Sequence, residues 1–324
     1  MKLKKILAVT AATALLLTSV FTMTSCGDKA ADDAYTIGIC QLVEHPALDQ
    51  ATEGFKAALT EKLGDKVTFD EQNAQGEQTN CTTITNKFVS DGVDLIMANA
   101  TNAVKAAREA TSDIPIVGTS VTDYVSSGLI ESDEAPGANV TGASDLNPVG
   151  VQVELMKTLC PDVKTVGIVY CSAEENSAIQ ADEAKKAFEK EGFTVKIYTF
   201  ADSNEIQTVV TKACTEVDGF YEPTDNVIAA NATAMSNITN AQGKPVIGSE
   251  ESIVAEGGFL ATYSINYYDL GYQAGLQAYE ILVKAADPGA TPIFHFDTST
   301  LSLVINDTTV ETLGITVPDE LKAE

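Results

Sequence analysis

Apolar residues along this chain fall into short unbroken runs, separated by longer stretches in which they recur every three or four positions. The runs YTIGICQL (35–42), VTFDEQ (67–72), VDLIMANA (93–100) and IPIVGTSV (114–121) read as strands, the continuous ones as central strands buried on both faces. Between the first two, Leu48, Ala51, Phe55, Ala58, Leu59 and Leu63 make one helical face, which Gly64 and Asp65 end. Weaker periodicity through Thr82, Ile84 and Val89 predicts a helix over 77–90, and Thr101 and Asn102 are placed to cap a helix over 103–110.

The same order of elements returns roughly 130 residues later, about the length of one domain. TVGIVYC (165–171) answers YTIGICQ, and TVKIYTF (194–200) answers the second strand. VDGFYEPTDNV (217–227) answers the third, and PVIGSE (245–250) answers PIVGTS (115–120). Strands alternating with helix-length segments imply parallel sheets with right-handed crossovers, so an internal duplication of a doubly wound unit is expected. A Gly- and Pro-bearing stretch with the β-prone core NVTG, 127–149, suits an inter-lobe connection, and a helix over 149–159 starts the second half. Past PVIGSE come a strand, FLATYSINY (259–267), and a helix, 268–285, with Leu270, Ala274, Ala278 and Ile281 on one face. The tail HFDTSTLSLVIND is strand-like and a short helix follows near 308–313. The predicted fold class is α/β: two doubly wound parallel-sheet lobes joined by three crossover strands. Residues 35–143 with 264–290 would form lobe I, and 144–263 with 291–324 lobe II.

Composition narrows the function classes. With 324 residues, 44% apolar and 20% charged, the chain fits about two globular domains. A net charge of −26 argues against a nucleic-acid partner and a polybasic membrane surface. Arg108 is the sole arginine, so the usual fork for phosphates and carboxylates is scarce, and there is no Trp. Lys2, Lys4 and Lys5 precede an apolar stretch from Ile6 to Phe21, and no further charge appears until Asp28. Met-Thr-Ser-Cys at 23–26 resembles a bacterial lipobox. Residues 1–25 are therefore expected to be a lipoprotein signal peptide, Cys26 the lipidated residue, and 26–34 a lipid-anchored tether. Cys40, Cys81, Cys160, Cys171 and Cys214 show no metal-ligand spacing and are expected as free, buried thiols.

Polar groups collect in the loops that follow the predicted strands, the edge where open α/β sheets bind ligands. From the first half these are Gln41, Glu44, His45, Thr101, Thr119, Ser120, Thr122 and Asp123. From the connection and second half come Asp145, Ser172, Glu174, Asn176, Ser177, Thr224, Asp225, Asn226, Ser249 and Glu250. Helix N-termini bind carboxylates without any Arg, and opposed carboxylates hold an ammonium, so an amino-acid zwitterion fits. Thr119 and Ser120, helped by Thr101, would take the carboxylate. Asp225, Glu174 or Asp145 would take the ammonium, and Ser249 and Glu250 would add negative charge on the opposite wall. Tyr124, Tyr170, Tyr221 and Tyr263 could line a ring pocket.

Catalytic readings lack their residues. Only His45 and His295 exist, no Ser sits in an elbow motif, and neither a dinucleotide nor a P-loop glycine pattern occurs. No catalytic residue, cofactor or metal site is expected.

The set IGICQLVEHPALDQATEGFKAAL (37–59), GTSVTDYVSSGL (118–129), NVTGASDLNPV (139–149), GIVYCSAEENS (167–177), PTDN (223–226) and PVIGSEESIVAEG (245–257) resembles bacterial ABC-transporter substrate-binding proteins related to the tryptophan-binding lipoprotein TrpX. The resemblance spans about 35–318. It implies a type I periplasmic-binding-protein fold, a small ligand closed in the inter-lobe cleft, and delivery to an ABC permease and its ATPase. The ligand it implies is amino acid-like, an aromatic one such as tryptophan first. A sugar or nucleoside receptor, or a ligand-sensing module, is the alternative. Cys171 stands where these proteins often carry Asn, and Ala173 where a small hydroxyl residue is common.

Overall fold

A computed structural model describes residues 34–322, so the expected signal peptide and Cys26 lie outside the described residues. Five parallel strands, β1 (Tyr35–Gln41), β2 (Val67–Asn73), β3 (Leu95–Asn99), β4 (Ile116–Val121) and β5 (Val140–Ser144), form the first sheet in the order β2-β1-β3-β4-β5. Helices α1 (Pro46–Leu63), α2 (Gln78–Asp91) and α3 (Thr101–Ala110) connect them. Every residue of β3 and β4 is buried, as their continuous apolar runs require of strands covered on both faces. Alternation divides the core: Ile37, Ile39, Leu95, Met97 and Val117 face α1, whereas Cys40, Ile96 and Ile116 face α2 and α3.

The second sheet repeats that order. Its connecting elements are α4 (Val149–Leu159), β6 (Thr165–Cys171), α5 (Glu175–Lys190), β7 (Thr194–Phe200), α6 (Ile206–Cys214) and β8 (Gly219–Tyr221). They continue through α7 (Asn226–Ala229), α8 (Ala232–Ala241), β9 (Val246–Ile247), α9 (Glu251–Ala255) and β10 (Ala261–Ser264). Reading from its β7 edge, the sheet runs β7-β6-β8-β9-β10, the first sheet's winding over again. The duplication seen as repeated strand motifs is thus a duplication of topology.

The chain passes between the lobes three times. After β5 it enters α4, and after β10 it returns to the first lobe as α10 (Tyr267–Lys284), where Leu270, Ala274 and Ala278 join the α1 face of the core. Gly271 is required there: a Cβ at this position would overlap the Ala51 carbonyl of α1. The third pass ends in β11 (Ser302–Ile305), antiparallel to β10, and α11 (Asp307–Leu313). Its first part departs from the expected boundary. Phe294 pairs with the edge of β5, donating to Gly142 O and accepting from Ser144 N, both at 2.8 Å. Phe294, Phe296 and Leu301 pack in the first lobe, so 291–301 side with lobe I and only the tail from Ser302 joins lobe II. The apolar faces of these residues decide the matter, since the strand at 302–305 is the first that can pair in the second sheet.

The five described cysteines are free and buried. No described helix is long and apolar enough to cross a membrane.

Candidate functional site

Parallel winding puts the C-terminal ends of β1, β3 and β4 on the same side of the first sheet, facing the matching ends of β6, β8 and β9. Between them lies a cavity lined by His45, Leu48, Ser120, Thr122, Asp145 and Tyr267 on one side. Asn176, Thr224, Asp225, Asn226, Ala229 and Glu250 line the other. The lobes are closed on each other: the Thr122 and Thr224 hydroxyls lie 2.9 Å apart, and His45 Nε2 is 3.2 Å from Asn226 Oδ1. At the rim, Lys105 of α3 pairs with Glu175 of α5.

The first-lobe wall is built from strained strand ends. Ser120 has φ 55 inside β4, and Ala100, just after β3, has φ 88 and ψ 156, a region populated by glycine almost alone. The turn at Ala100 starts α3 directly at Thr101. Thr101 is therefore the first helical residue rather than a residue preceding the helix, and no side chain caps this terminus. The Thr119 and Ser120 hydroxyls are buried without a partner.

The second-lobe wall is satisfied from within. Asp225 caps α7 by accepting from Ile228 N at 2.9 Å, and its other oxygen accepts from Cys171 N at 2.6 Å. Glu174 Oε2 accepts from the Asn226 backbone N–H at 3.0 Å and from Asn226 Nδ2 at 2.8 Å. Asn176 and Ser177 both donate to Thr224 O, and Gln180 Oε1 accepts from Thr224 N. Ser249 donates to Glu222 at 3.1 Å.

Two acids are left over. Asp145 accepts from Tyr267 OH at 3.0 Å and Glu250 from Ser252 Oγ at 2.7 Å, yet Asp145 Oδ1 and Glu250 Oε2 are buried with no hydrogen-bond partner. Burial pushes the Asp145 carboxyl up to about 6. Burial, reinforced by the nearby Asp145 charge, pushes Glu250 up to about 7. Glu174 rises to about 8 through burial and then the Asp225 charge, and Glu222 and Asp225 are raised by burial as well. No Lys or Arg lines this cavity. An array of buried acids without a cation favours an incoming ammonium.

Several expected site residues lie elsewhere. Gln41 turns away from the cleft to Asp49, Thr52 and the Val43 carbonyl. Asp123 closes a local turn by accepting from Ser126 N and Oγ. Ser172 is exposed and bonds Phe200 O, while Glu44 is exposed outside His45. Thr101, Thr119, Glu174, Ser177 and Ser249 are buried behind the lining. The four tyrosines proposed for a ring pocket do not line it either: Tyr124 is buried against Ala143 O, and Tyr170, Tyr221 and Tyr263 belong to the second-lobe core. Tyr267, Leu48 and Ala229 went unrecognised. Tyr267 opens a helix straight after a crossover, a position equivalent to the others chosen. Leu48 and Ala229 are ordinary apolar helix residues and carry no separate signal.

A family model for ABC transporter substrate binding protein matches residues 36–324. The chain is 40% identical to the tyrosine-binding protein of Clostridioides difficile (strain R20291) over 282 residues, 86% of this chain and 81% of that one. It is 36% identical to an ABC domain from Streptococcus pneumonia solved in complex with L-Trp, with a TM-score of 0.86 over 90% of this chain and 98% of the other. A ligand-free, open substrate-binding protein with adhesive properties from Clostridium difficile is 37% identical, covering 88% and 97%, with a TM-score of 0.67. The closed lobes described above thus superpose better on the L-Trp complex than on the open form.

Proposed function

The chain belongs to the ABC transporter substrate-binding protein family, with the fold of type I periplasmic-binding proteins, and we propose that it is the receptor of an importer for an aromatic amino acid. Members of this family bind solutes and are not enzymes. The observation that carries the ligand class is the pair of buried, unpartnered oxygens on Asp145 and Glu250 in a cavity without cations. An ammonium between them replaces an electrostatic cost with charge-assisted hydrogen bonds. Ser120, which lines the cavity, supplies an unpartnered hydroxyl for the carboxylate of the same molecule. A sugar or nucleoside would bring hydroxyls but leave the two acids without a counter-charge. The aromatic preference is supported by the tyrosine-binding relative and the L-Trp complex.

The receptor works outside the cytoplasm, held to the membrane by lipid on Cys26 after removal of 1–25, and hands its ligand to a permease and ATPase by lobe opening. The lipobox-like Met-Thr-Ser-Cys supports the anchor. Thermal-shift and calorimetric titration of the full set of amino acids, with sugars and nucleosides alongside, tests the ligand class. Ligand at 100 times its dissociation constant should stabilise by roughly 2.7 kcal/mol. A shift with a sugar and none with any amino acid overturns the reading.

A further inference from the structure

His45 sits at the cavity wall at 6% exposure, and the hydrogen bonds around it fix which of its nitrogens carries the proton. Glu174 Oε2 accepts from the Asn226 backbone N–H at 3.0 Å and is also approached by Asn176 Nδ2 at 3.4 Å and Ser177 Oγ at 3.5 Å. Oε2 is therefore the acceptor, and a proton on this carboxyl sits on Oε1. The Asn226 side chain approaches that same oxygen with Nδ2 at 2.8 Å, which leaves its Oδ1 facing His45 Nε2 at 3.2 Å. Nε2 therefore bears the proton. Burial lowers the imidazole to about 4, so the ring is neutral near pH 7 and Nδ1 keeps its lone pair. That nitrogen is buried with no partner.

The cavity has two chemically distinct ends. Asp145, Glu250 and Tyr267 make an acidic one. Leu48 of α1 and Ala229 of α7 supply the aliphatic part of the lining, each three residues after a member of the His45–Asn226 pair. A zwitterion with its ammonium on the acids leaves its side chain for the rest of the lining, where His45 Nδ1 is a buried acceptor with no partner.

Resting on the amino-acid reading, we propose that His45 Nδ1 is a specificity-determining acceptor. It selects a ring that carries its own hydrogen-bond donor, a phenolic O–H or an indole N–H, over a bare phenyl ring. A ligand without the donor buries Nδ1 and leaves it unpaired, which is the arrangement that discriminates most strongly against a missing polar group. The preference thus comes from proton placement relayed across both lobes.

Calorimetric titration of the full chain with L-Tyr, L-Trp, L-Phe, O-methyl-L-tyrosine and 1-methyl-L-tryptophan tests this. The better of Tyr and Trp should bind roughly 10- to 100-fold more tightly than Phe, and methylating its donor should abolish the advantage. His45→Leu should bring Tyr, Trp and Phe within about threefold of each other. His45→Gln, which keeps one donor for Asn226 and one free acceptor, should retain the order. Nitrogen-15 NMR of the closed wild type should show the Nε2–H tautomer. Equal binding of Phe, or discrimination that survives in His45→Leu, overturns this assignment and leaves the amino-acid reading standing. Failure of every aromatic amino acid to bind the wild type overturns both.

Discussion

The Thr122 and Thr224 hydroxyls share a hydrogen bond across 2.9 Å, joining residues 102 apart in sequence and in opposite lobes. Gln180 Oε1, which accepts from the Thr224 backbone N–H and lies 3.1 Å from its hydroxyl, holds Thr224 in place on the second-lobe side. Closure is written into this buried contact. Thr122→Val should weaken ligand binding by about 0.5–1.5 kcal/mol, roughly 2- to 13-fold, through the closed state alone. Titration calorimetry measures the affinity, and small-angle scattering at saturating ligand reads the shift toward open lobes.

Asp145 and Asp225 should behave oppositely when neutralised. Asp145→Asn removes a buried charge with an unpartnered oxygen, so amino-acid affinity should fall by about 2–3 kcal/mol while the ligand-free protein at pH 8 becomes more stable. Asp225→Ala removes the partner of two backbone N–H groups and should cost about 2–3 kcal/mol of folding stability. Urea unfolding with and without ligand separates the two effects.

Between pH 6.5 and 8, stability without ligand should fall. Glu250 and Glu174 titrate near 7 and 8 when folded, above the ordinary glutamate value of 4.5. The folded state therefore binds more protons than the unfolded one, and the stability this gives is lost as pH rises through the folded values. His45, lowered to about 4 from an ordinary 6.5, is neutral when folded but half protonated when unfolded at pH 6.5, so it offsets the loss by about 0.4 kcal/mol across the window. The loss should be about 2 kcal/mol over the window, read by urea midpoints.

Amino-acid affinity should run the other way. An ammonium between Asp145 and Glu250 favours their ionised forms, so binding releases protons and tightens from pH 5 to 8. Calorimetry in buffers of different ionisation enthalpy counts the protons released. A pH-independent enthalpy and affinity would contradict the ammonium placement.

Ala100 stores strain at the cleft edge. At φ 88 and ψ 156, Ala100→Gly should relieve about 1–3 kcal/mol, offset by up to ~1 kcal/mol of added unfolded-chain entropy. The expected outcome is a net rise in melting temperature.

The sequence by itself determined the architecture, because strand burial and helical periodicity are local. The run LIMAN is apolar without interruption and became a fully buried central strand. TVGIVYC and TVKIYTF became strands with the bounds expected of them, and PIVGTS and PVIGSE fell at matching positions of equally wound sheets. It also placed the polar candidates in the loops at the C-terminal strand ends, some of which line the cavity. Which of those polar groups line the cavity, and which are left without a partner there, was decided only by tertiary structure. Asp225, Glu174, Asp145 and Glu250 are alike as carboxylates in strand-end loops, yet the first two meet donors of their own lobe and the last two each keep a bare oxygen. Satisfaction of a buried oxygen depends on which N–H groups the fold brings within about 3 Å, some of them tens of residues away in the chain.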